Sequence, residues 1–172
     1  MLILILNFTE HVDTMETKNM TTKKIEFQLQ LNWLEKTRGI LTSKQVGDTI
    51  RVALPANFGG TGNEWSPEHL FLASISSCFM TTFLVLAEKK HLPILNFESH
   101  AEGQVQFLSG RFQFTDIQIY PKIIIQDALL IEKAHDLLKK TEKYCLISNS
   151  ISAPITYKSV VVMGGNHPVV NN

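Results

Sequence analysis

A long apolar segment in the middle of the chain limits the possible folds more than any other feature of the sequence. Nearly every residue from Leu70 to Ala87 is apolar or small, and Ser66-Pro67 precedes the run. Serine is a favoured N-cap, and proline at the first helical position gives up no hydrogen bond that a helix needs. The pattern predicts a helix from Pro67 to about Lys90. Because this helix is apolar on almost all sides, we expect it to be central and buried.

Strand patterns precede this helix. Apolar and polar residues alternate over residues 25–33, and a period of two predicts a half-buried strand. Residues 39–46 and 49–55 predict two further strands, with Gly47 and Asp48 as the hairpin turn between them.

The region after the helix predicts a second group of strands and a second helix. These elements are strands 97–107 and 112–125, a helix over 128–144 and a last strand over 154–162. We expect Pro121 to interrupt the second of these strands, Asp127 to cap the helix, and Cys145 to end its inward apolar stripe. The order βββ-α-ββ-α-β, with grouped strands and separate helices, indicates an α+β fold.

Composition and chain ends narrow the class of protein. We expect residues 23–163 to form one domain, with tails at residues 1–22 and 164–172. No basic residue precedes the short apolar start, which argues against a signal peptide, and uninterrupted apolar runs stay short of the ~20 residues of a membrane span. Sixteen basic and sixteen acidic residues balance, which predicts neither a nucleic-acid nor a membrane partner. Two cysteines without an export signal are typical of a cytoplasmic protein.

The histidines and glycines suggest no bound metal or nucleotide. None of the six histidines has zinc-ligand spacing to another histidine or to a Cys-x-x-Cys pair. The glycines at positions 59, 60 and 62 complete no phosphate-binding pattern. We therefore expect no metal site and no cofactor.

The two cysteines, Cys78 and Cys145, are the candidates for chemistry. By composition alone, free cysteines are more often inert and buried. However, Cys78 lies in the middle of the long helix and Cys145 on the inward stripe of the second, so packing of the helices would let the sulfurs meet. Two such thiols permit peroxide chemistry, in which one becomes a sulfenic acid and the other resolves it. Since apolar surroundings raise the pKa of a thiol, this chemistry needs a fixed cation beside Cys78.

An arginine suits that role, because it stays charged when desolvated but then needs a carboxylate partner. Arg38, in the first hairpin, either reaches a helix across the sheet or is simply an exposed hairpin charge, and we expect Arg51 and Arg111 at the surface. Glu68 is the candidate carboxylate, although the helix dipole alone also explains an acid in a first helical turn. Ten residues, about 15 Å of helix, separate Glu68 from Cys78, so the two would meet only if two copies of the helix cross antiparallel.

Three segments carry a family resemblance. They are Trp65-Ser66-Pro67-Glu68-His69-Leu70-Phe71, Ser76-Ser77-Cys78 and Cys145-Leu146-Ile147-Ser148-Asn149-Ser150. Together with the order of elements they resemble the OsmC/Ohr family of organic hydroperoxide reductases, over residues 24–162. Leu146 stands where many relatives have proline. The resemblance implies an intertwined homodimer with two active sites at the interface.

The resemblance also implies roles for individual residues. Cys78 would be the peroxidatic nucleophile and Cys145 the resolving thiol. Glu68 would anchor the activating arginine, for which Arg38 is the best match.

The function that follows from the resemblance is a thiol-dependent peroxidase that reduces organic hydroperoxides to alcohols. Its reductant would be a dithiol such as a lipoyl group, and its pocket would be lined by apolar side chains such as Phe58, Phe71 and Phe79. Two alternatives stay open on the residues alone. One is a non-catalytic redox-sensing or ligand-binding protein on the same scaffold, and the other is a purely structural dimer.

Overall fold

The computed structural model describes residues 24–164. The tail expected at residues 1–22 lies outside the described residues, as does all but the first residue of the tail expected at 164–172. The chain divides into two compact units, one ending at Trp65 and the other beginning at Ser66. That residues 23–163 form a single domain stays a prediction.

The first unit contains a three-stranded antiparallel sheet. Its strands are β1 (Gln30–Glu35), β2 (Arg38–Ser43) and β3 (Val46–Ala53), in the order β1-β2-β3. The turn between β2 and β3 is Lys44–Gln45, so the prediction of a turn at Gly47 and Asp48 is wrong. Ser43 pairs with Val46, which leaves only two residues for the loop and places the glycine inside β3.

The first strand is more exposed than its pattern predicts. β1 begins five residues after Ile25, and all six of its residues are exposed, with Trp33 at 75%. The expectation of a half-buried strand is therefore wrong for the single chain. β1 is an edge strand, and its alternate apolar side chains lie on the surface.

The loop after β3 folds tightly onto the end of that strand. The amide of Gly60 donates to the carbonyl of Pro55 at 3.0 Å, and the amide of Ala53 donates to the carbonyl of Trp65 at 2.9 Å. A Cβ atom on Gly60 would lie 1.6 Å from the carbonyl oxygen of Leu54. The glycine is thus required by a close backbone approach, which accounts for it without any bound phosphate.

The second unit combines two helices with a mixed sheet. Its elements are α1 (Pro67–Lys89), β4 (Asn96–Leu108), β5 (Arg111–Ile125), α2 (Ile131–Tyr144), β6 (Ile155–Tyr157) and β7 (Val160–Met163). β4 pairs antiparallel with β5, and β6 and β7 both pair with β5 in parallel. The predicted last strand is thus two short strands, and the α+β fold is confirmed.

Helix α1 begins as predicted but is buried on one side only. The hydroxyl of Ser66 caps it by accepting from the amide of His69. Its buried residues are Ile75, Phe79, Phe83, Leu86 and Ala87. These pack against isoleucines of β5 and leucines of α2, whereas a second stripe that includes Ser77, Thr81 and Leu84 is exposed. Burial on all sides is therefore not found within one chain.

Helix α1 also departs from the expectation that no apolar run approaches the length of a membrane span. By length and composition alone it could cross a membrane, since its most apolar stretch has a mean hydropathy of 2.0. Its buried face packs on the sheet, as in the core helix of a globular unit.

Helix α2 follows the predicted pattern closely. Asp127 accepts from the amide of Leu129 at 2.9 Å and caps a short 3-10 turn that leads into the helix. The inward stripe of Ala134, Leu137, Leu138, Thr141 and Cys145 is buried. Cys145 itself is extended and follows the last helical residue, rather than lying within the last turn.

Pro121 does not interrupt β5, contrary to the prediction. The odd-numbered residues around it direct their backbone groups away from β4: the carbonyl of Ile119 accepts from Lys158, and that of Ile125 accepts from Gly164. β6 pairs with β5 up to Ile119, and β7 begins to pair at Lys122. The missing N–H of Pro121 therefore falls in the gap between these short strands, where the ladder does not use it.

The close backbone approach at Gly60 predicts that two glycine-to-alanine substitutions, at Gly60 and at Gly47, will differ in their effect on stability. Gly60→Ala should lower the free energy of unfolding by about 1–3 kcal/mol or more, because the new methyl group meets a backbone carbonyl that cannot move aside freely. Gly47→Ala should change it far less, because nothing lies within 4 Å of its Cβ position. Denaturant unfolding of both variants measures the difference. Equal losses would show that the approach at Gly60 is not a constraint.

Candidate active site

Cys78 lies in the middle of α1, on the side that faces the end of α2. Its Sγ atom accepts a hydrogen bond from the amide of Ile147 at 3.5 Å, and the hydroxyl of Thr82 also interacts with it. The side chain is partly exposed and packs against the core cluster that contains Cys145. Cys78 therefore combines a core location with access from outside.

Cys145 is fully buried, directly after α2. Its Sγ atom accepts a hydrogen bond from the hydroxyl of Ser148 at 3.1 Å. Cys78 packs against the buried cluster that contains Cys145 and interacts with its thiol, and neither cysteine is in a disulfide. The second unit thus brings together the two cysteines that the sequence singles out.

The environment of Cys78 favours the neutral thiol. Burial raises the pKa of the Cys78 thiol, and the neighbouring Cys145 raises it further. The amide of Ile147 and the hydroxyl of Thr82 act in the opposite direction, because they donate to the thiolate, but they do not outweigh burial. Within this environment the thiol is protonated at neutral pH.

Glu68 lies in the first turn of α1, as predicted. Its carboxylate atom Oε2 is buried and has no hydrogen-bond partner among the described residues. A buried carboxylate oxygen without a donor is costly, so this atom calls for one.

Arg38 begins β2 in the first unit and binds two carboxylates there. Its Nε and Nη2 atoms donate to Glu64 at 3.0 and 2.5 Å, and its Nη1 atom donates to Glu35 at 2.7 Å. These contacts raise the pKa of Arg38, which is charged at every relevant pH. The hydrogen bonds from Arg38 lower the pKa of the Glu64 carboxyl.

Arg38 and Glu68 belong to different units, so their pairing stays a prediction, as does the role of Arg38 beside Cys78. Arg51 and Arg111 are exposed, as expected.

Sequence reasoning missed three contacts of the candidate residues: that of Glu64 with Arg38 in the first unit, and those of Ser148 and Tyr157 near Cys145 in the second. Glu64 is 26 residues from Arg38 and has no periodic relation to it, so only the backbone pairing of Trp65 with β3 brings it near. Ser148 carried a signal, since it stands three residues after Cys145 and a single turn brings its hydroxyl to the sulfur. Tyr157 belongs to a separate strand and carried none.

The aromatic residues expected to line a pocket have different locations. Phe71 contacts Phe114, with ring centroids 4.8 Å apart, and both border an open cavity of about 570 Å³. Phe79 is fully buried and stacks on Tyr157, so the expectation that it lines a pocket is wrong. Phe58 is 40% exposed in the first unit.

The described side chains form no metal-binding cluster. Over residues 24–164, no group of three or more histidine, cysteine, aspartate or glutamate side chains is arranged to hold a metal ion.

Comparison with known proteins identifies a family to which this chain is similar in sequence. A family model described as OsmC-like protein matches residues 60–159. The uncharacterized protein YmaD of Bacillus subtilis is 25% identical over 146 residues, which cover 81% of this chain and 96% of that protein.

Two solved structures share the fold. An OsmC-like protein of Vibrio cholerae has a TM-score of 0.71 at 17% identity, covering 80% of this chain and 100% of that one. An organic hydroperoxide resistance protein of Elizabethkingia anophelis has a TM-score of 0.65 at 22% identity, covering 83% of this chain and 100% of that one.

The contacts of Glu64 predict a pH-dependent contribution to stability. Because its folded-state pKa is lowered, the contribution is present above the ordinary pKa of a carboxyl and is lost as the pH falls through the folded-state value. Glu64→Gln should therefore lower the Tm at pH 6, and the difference from the parent protein should narrow at pH 3. Thermal unfolding at both pH values measures it.

Glu26→Gln is the matched control, because Glu26 is an exposed residue paired only with Lys24 among the described side chains. It should change the Tm little at either pH. A Glu64→Gln difference that is as large at pH 3 as at pH 6 would contradict the pairing.

Proposed function

The chain belongs to the OsmC-like protein family, and from that premise we propose that it is a thiol-dependent peroxidase that reduces organic hydroperoxides to alcohols. The observation that carries the proposal is that Cys78 packs against the buried cluster that contains Cys145. A disulfide between them would join residues that are 67 positions apart in the chain but already neighbours in the core. The name of the Elizabethkingia relative, an organic hydroperoxide resistance protein, agrees with this substrate class.

The proposed cycle has three steps. The Cys78 thiolate attacks the outer oxygen of the hydroperoxide, the O–O bond breaks, and the leaving alkoxide takes a proton to give the alcohol. The Cys145 sulfur then attacks the Cys78 sulfenic acid, forming the disulfide and releasing water. A dithiol finally reduces the disulfide and becomes a cyclic disulfide itself. Each cycle transfers two electrons from the dithiol to the peroxide and needs no cofactor.

The first step requires a thiolate, and the burial of Cys78 opposes its formation. We assign the compensating charge to Arg38 and its anchor to Glu68. A guanidinium has five N–H donors, and Glu64 and Glu35 engage three of those of Arg38. The buried Oε2 atom of Glu68 needs a donor of this kind.

The exposed apolar surface supports a homodimer. Leu31 and Trp33 of β1 are 59% and 75% exposed, and the outer stripe of α1 includes the exposed Leu84. Monomeric proteins seldom leave such surfaces uncovered. In the proposed intertwined dimer these surfaces are covered, and Arg38 and Glu68 complete each active site.

The partners and the compartment follow from the chemistry. The proposed substrate is an organic hydroperoxide, and the proposed reductant is a dithiol such as a lipoyl group. We propose that the protein acts in the cytoplasm, because the cycle must return both cysteines to the thiol form, a state that the cytoplasm maintains.

Replacement of each cysteine tests the cycle. Cys78→Ser should abolish the loss of cumene hydroperoxide with dihydrolipoamide as reductant, because the other thiol, Cys145, is fully buried and out of reach of the peroxide. Cys145→Ser should consume about one equivalent of peroxide per chain and then slow sharply, since the sulfenic acid is no longer resolved. Full activity of Cys78→Ser would refute the mechanism.

A second function is favoured by one observation, the raised pKa of Cys78. A thiol that stays protonated at neutral pH reacts slowly with peroxides, which suits a non-catalytic redox-sensing or ligand-binding protein on the same scaffold. This alternative requires that no arginine reaches Cys78 in the assembled protein.

Titration of Cys78 separates the two functions. In a Cys145→Ser background the thiolate absorbance reports Cys78 alone. The peroxidase proposal predicts that Arg38→Gln raises the pKa of Cys78 by about one unit or more, because a neighbouring cation stabilises the thiolate by this amount. The control Arg111→Gln removes an exposed arginine and should not change it. A raised pKa with Arg38 intact, unaltered by its replacement, would support the second function.

A further inference from the structure

Two hydroxyl groups form a chain that ends on the sulfur of Cys145. The hydroxyl of Ser148 donates to Cys145 Sγ at 3.1 Å, and the hydroxyl of Tyr157 is hydrogen-bonded to Ser148 Oγ. With the Ser148 proton directed to sulfur, Tyr157 is the donor of the second bond. Burial raises the pKa of Tyr157 to about 12, so the phenol keeps its proton at neutral pH.

Both hydroxyls are held in place by rigid neighbours. Ser148 begins the 3-10 turn Ser148–Ser150, three residues after Cys145, and the ring of Tyr157 stacks on the buried Phe79 with centroids 4.7 Å apart. The backbone closes this turn, since the amide of Asn149 donates to the carbonyl of Cys145 at 3.1 Å. The Ser148 side chain is therefore not needed to form the turn, and its hydroxyl is available to the sulfur.

The two sulfurs differ in accessibility. Cys145 has no exposed surface, whereas Cys78 is partly exposed. In a disulfide between them, an external thiolate can reach the Cys78 sulfur more readily. Cys145 is then the leaving group, and it must accept a negative charge inside an apolar core, where an unassisted thiolate is unfavourable.

We propose that Ser148 is a catalytic residue for reduction of the Cys78–Cys145 disulfide, stabilising Cys145 as the leaving thiolate, and that Tyr157 is the residue that positions the Ser148 hydroxyl. This inference rests on the proposed peroxidase cycle and fixes the direction of its last step: the dithiol attacks Cys78, and Cys145 departs.

The bonds and electrons of this step balance. A thiolate of the dithiol forms a bond to Cys78 Sγ, the Cys78–Cys145 bond breaks, and its electron pair passes to Cys145 Sγ. Cys145 takes up one proton, which balances the proton that the attacking thiol released. The second thiol of the dithiol then attacks the mixed disulfide, leaves as a cyclic disulfide and frees Cys78. The dithiol loses two electrons and two protons, and both cysteines regain their thiol form.

The test isolates reduction from oxidation. The disulfide form is prepared with diamide, which needs no peroxidase activity, and is mixed rapidly with dihydrolipoamide while the release of protein thiols is followed. Ser148→Ala should slow this reaction by about 10- to 100-fold, the effect of one hydrogen bond to a charged group. The loss of the first equivalent of hydroperoxide on the reduced protein, which precedes formation of the disulfide, should keep its rate.

Conservative variants separate catalysis from structure. Ser148→Thr keeps the hydroxyl and should restore the rate of reduction to within about threefold of the parent protein, since the donor is retained. Tyr157→Phe keeps the stacked ring and should slow reduction less than Ser148→Ala does. Two control variants make the same kinds of substitution elsewhere. Ser150→Ala removes a hydroxyl that donates to the carbonyl of Leu146, and Tyr120→Phe removes a phenol hydroxyl that is bonded to Gln118. Neither should alter the rate.

A separate experiment identifies which of the two sulfurs an external thiol attacks. Brief treatment of the oxidised protein with a monothiol, followed by alkylation and peptide mapping, should locate the mixed disulfide on Cys78. An adduct on Cys145, or reduction of Ser148→Ala at the parent rate, would overturn the proposal. Failure of the peroxidase function itself would appear differently, as no loss of hydroperoxide while the diamide-formed disulfide is still reduced in a Ser148-dependent way.

Discussion

The packing of α1 and α2 on one face of the β4–β5 sheet is the interaction on which the site depends. Phe79 and Phe83 of α1 belong to the same buried cluster as Leu137 and Leu138 of α2, and this cluster includes Cys145. Because both helices bury their apolar faces there, a sulfur in the middle of one meets a sulfur at the end of the other. The apolar core that unites the thiols also opposes the ionisation of Cys78, so the same packing explains why a charge must be supplied from elsewhere.

Local patterns in the sequence predict much of this fold. The start of a helix depends on residues that are close together in the sequence. The side chains of Ser66 and Asp127 each cap an amide that lies no more than three residues further along the chain. The inward stripe of α2 follows from its period, and it correctly places Cys145 in the core. Strand register is less local. The turn at Lys44–Gln45 and the continuity of β5 through Pro121 depend on pairing with other strands, which period-two patterns do not specify.

The site could be predicted only in part, for a related reason. Two cysteines, a helix-start glutamate and a hairpin arginine are rare enough in this sequence to be noticed. Glu64 and Tyr157 are ordinary residue types that reach their partners through strand pairing, so nothing in their immediate neighbours marks them. The exposed face of β1 has the same origin: a period of two identifies an apolar face, but it does not say whether the same chain or a second copy covers it.

The way in which β6 and β7 pair with β5 bears on the order in which the protein matures. Among the described residues, the outer edge of β5 has its partners in residues 154–164, which leave the ribosome about thirty residues after β5 itself. Until then the longest strand of the sheet presents an open edge, and Tyr157 has not yet reached the turn that follows Cys145. The hydrogen bond between Tyr157 and Ser148 is therefore among the last contacts that the chain can form during synthesis, after both cysteines have left the ribosome.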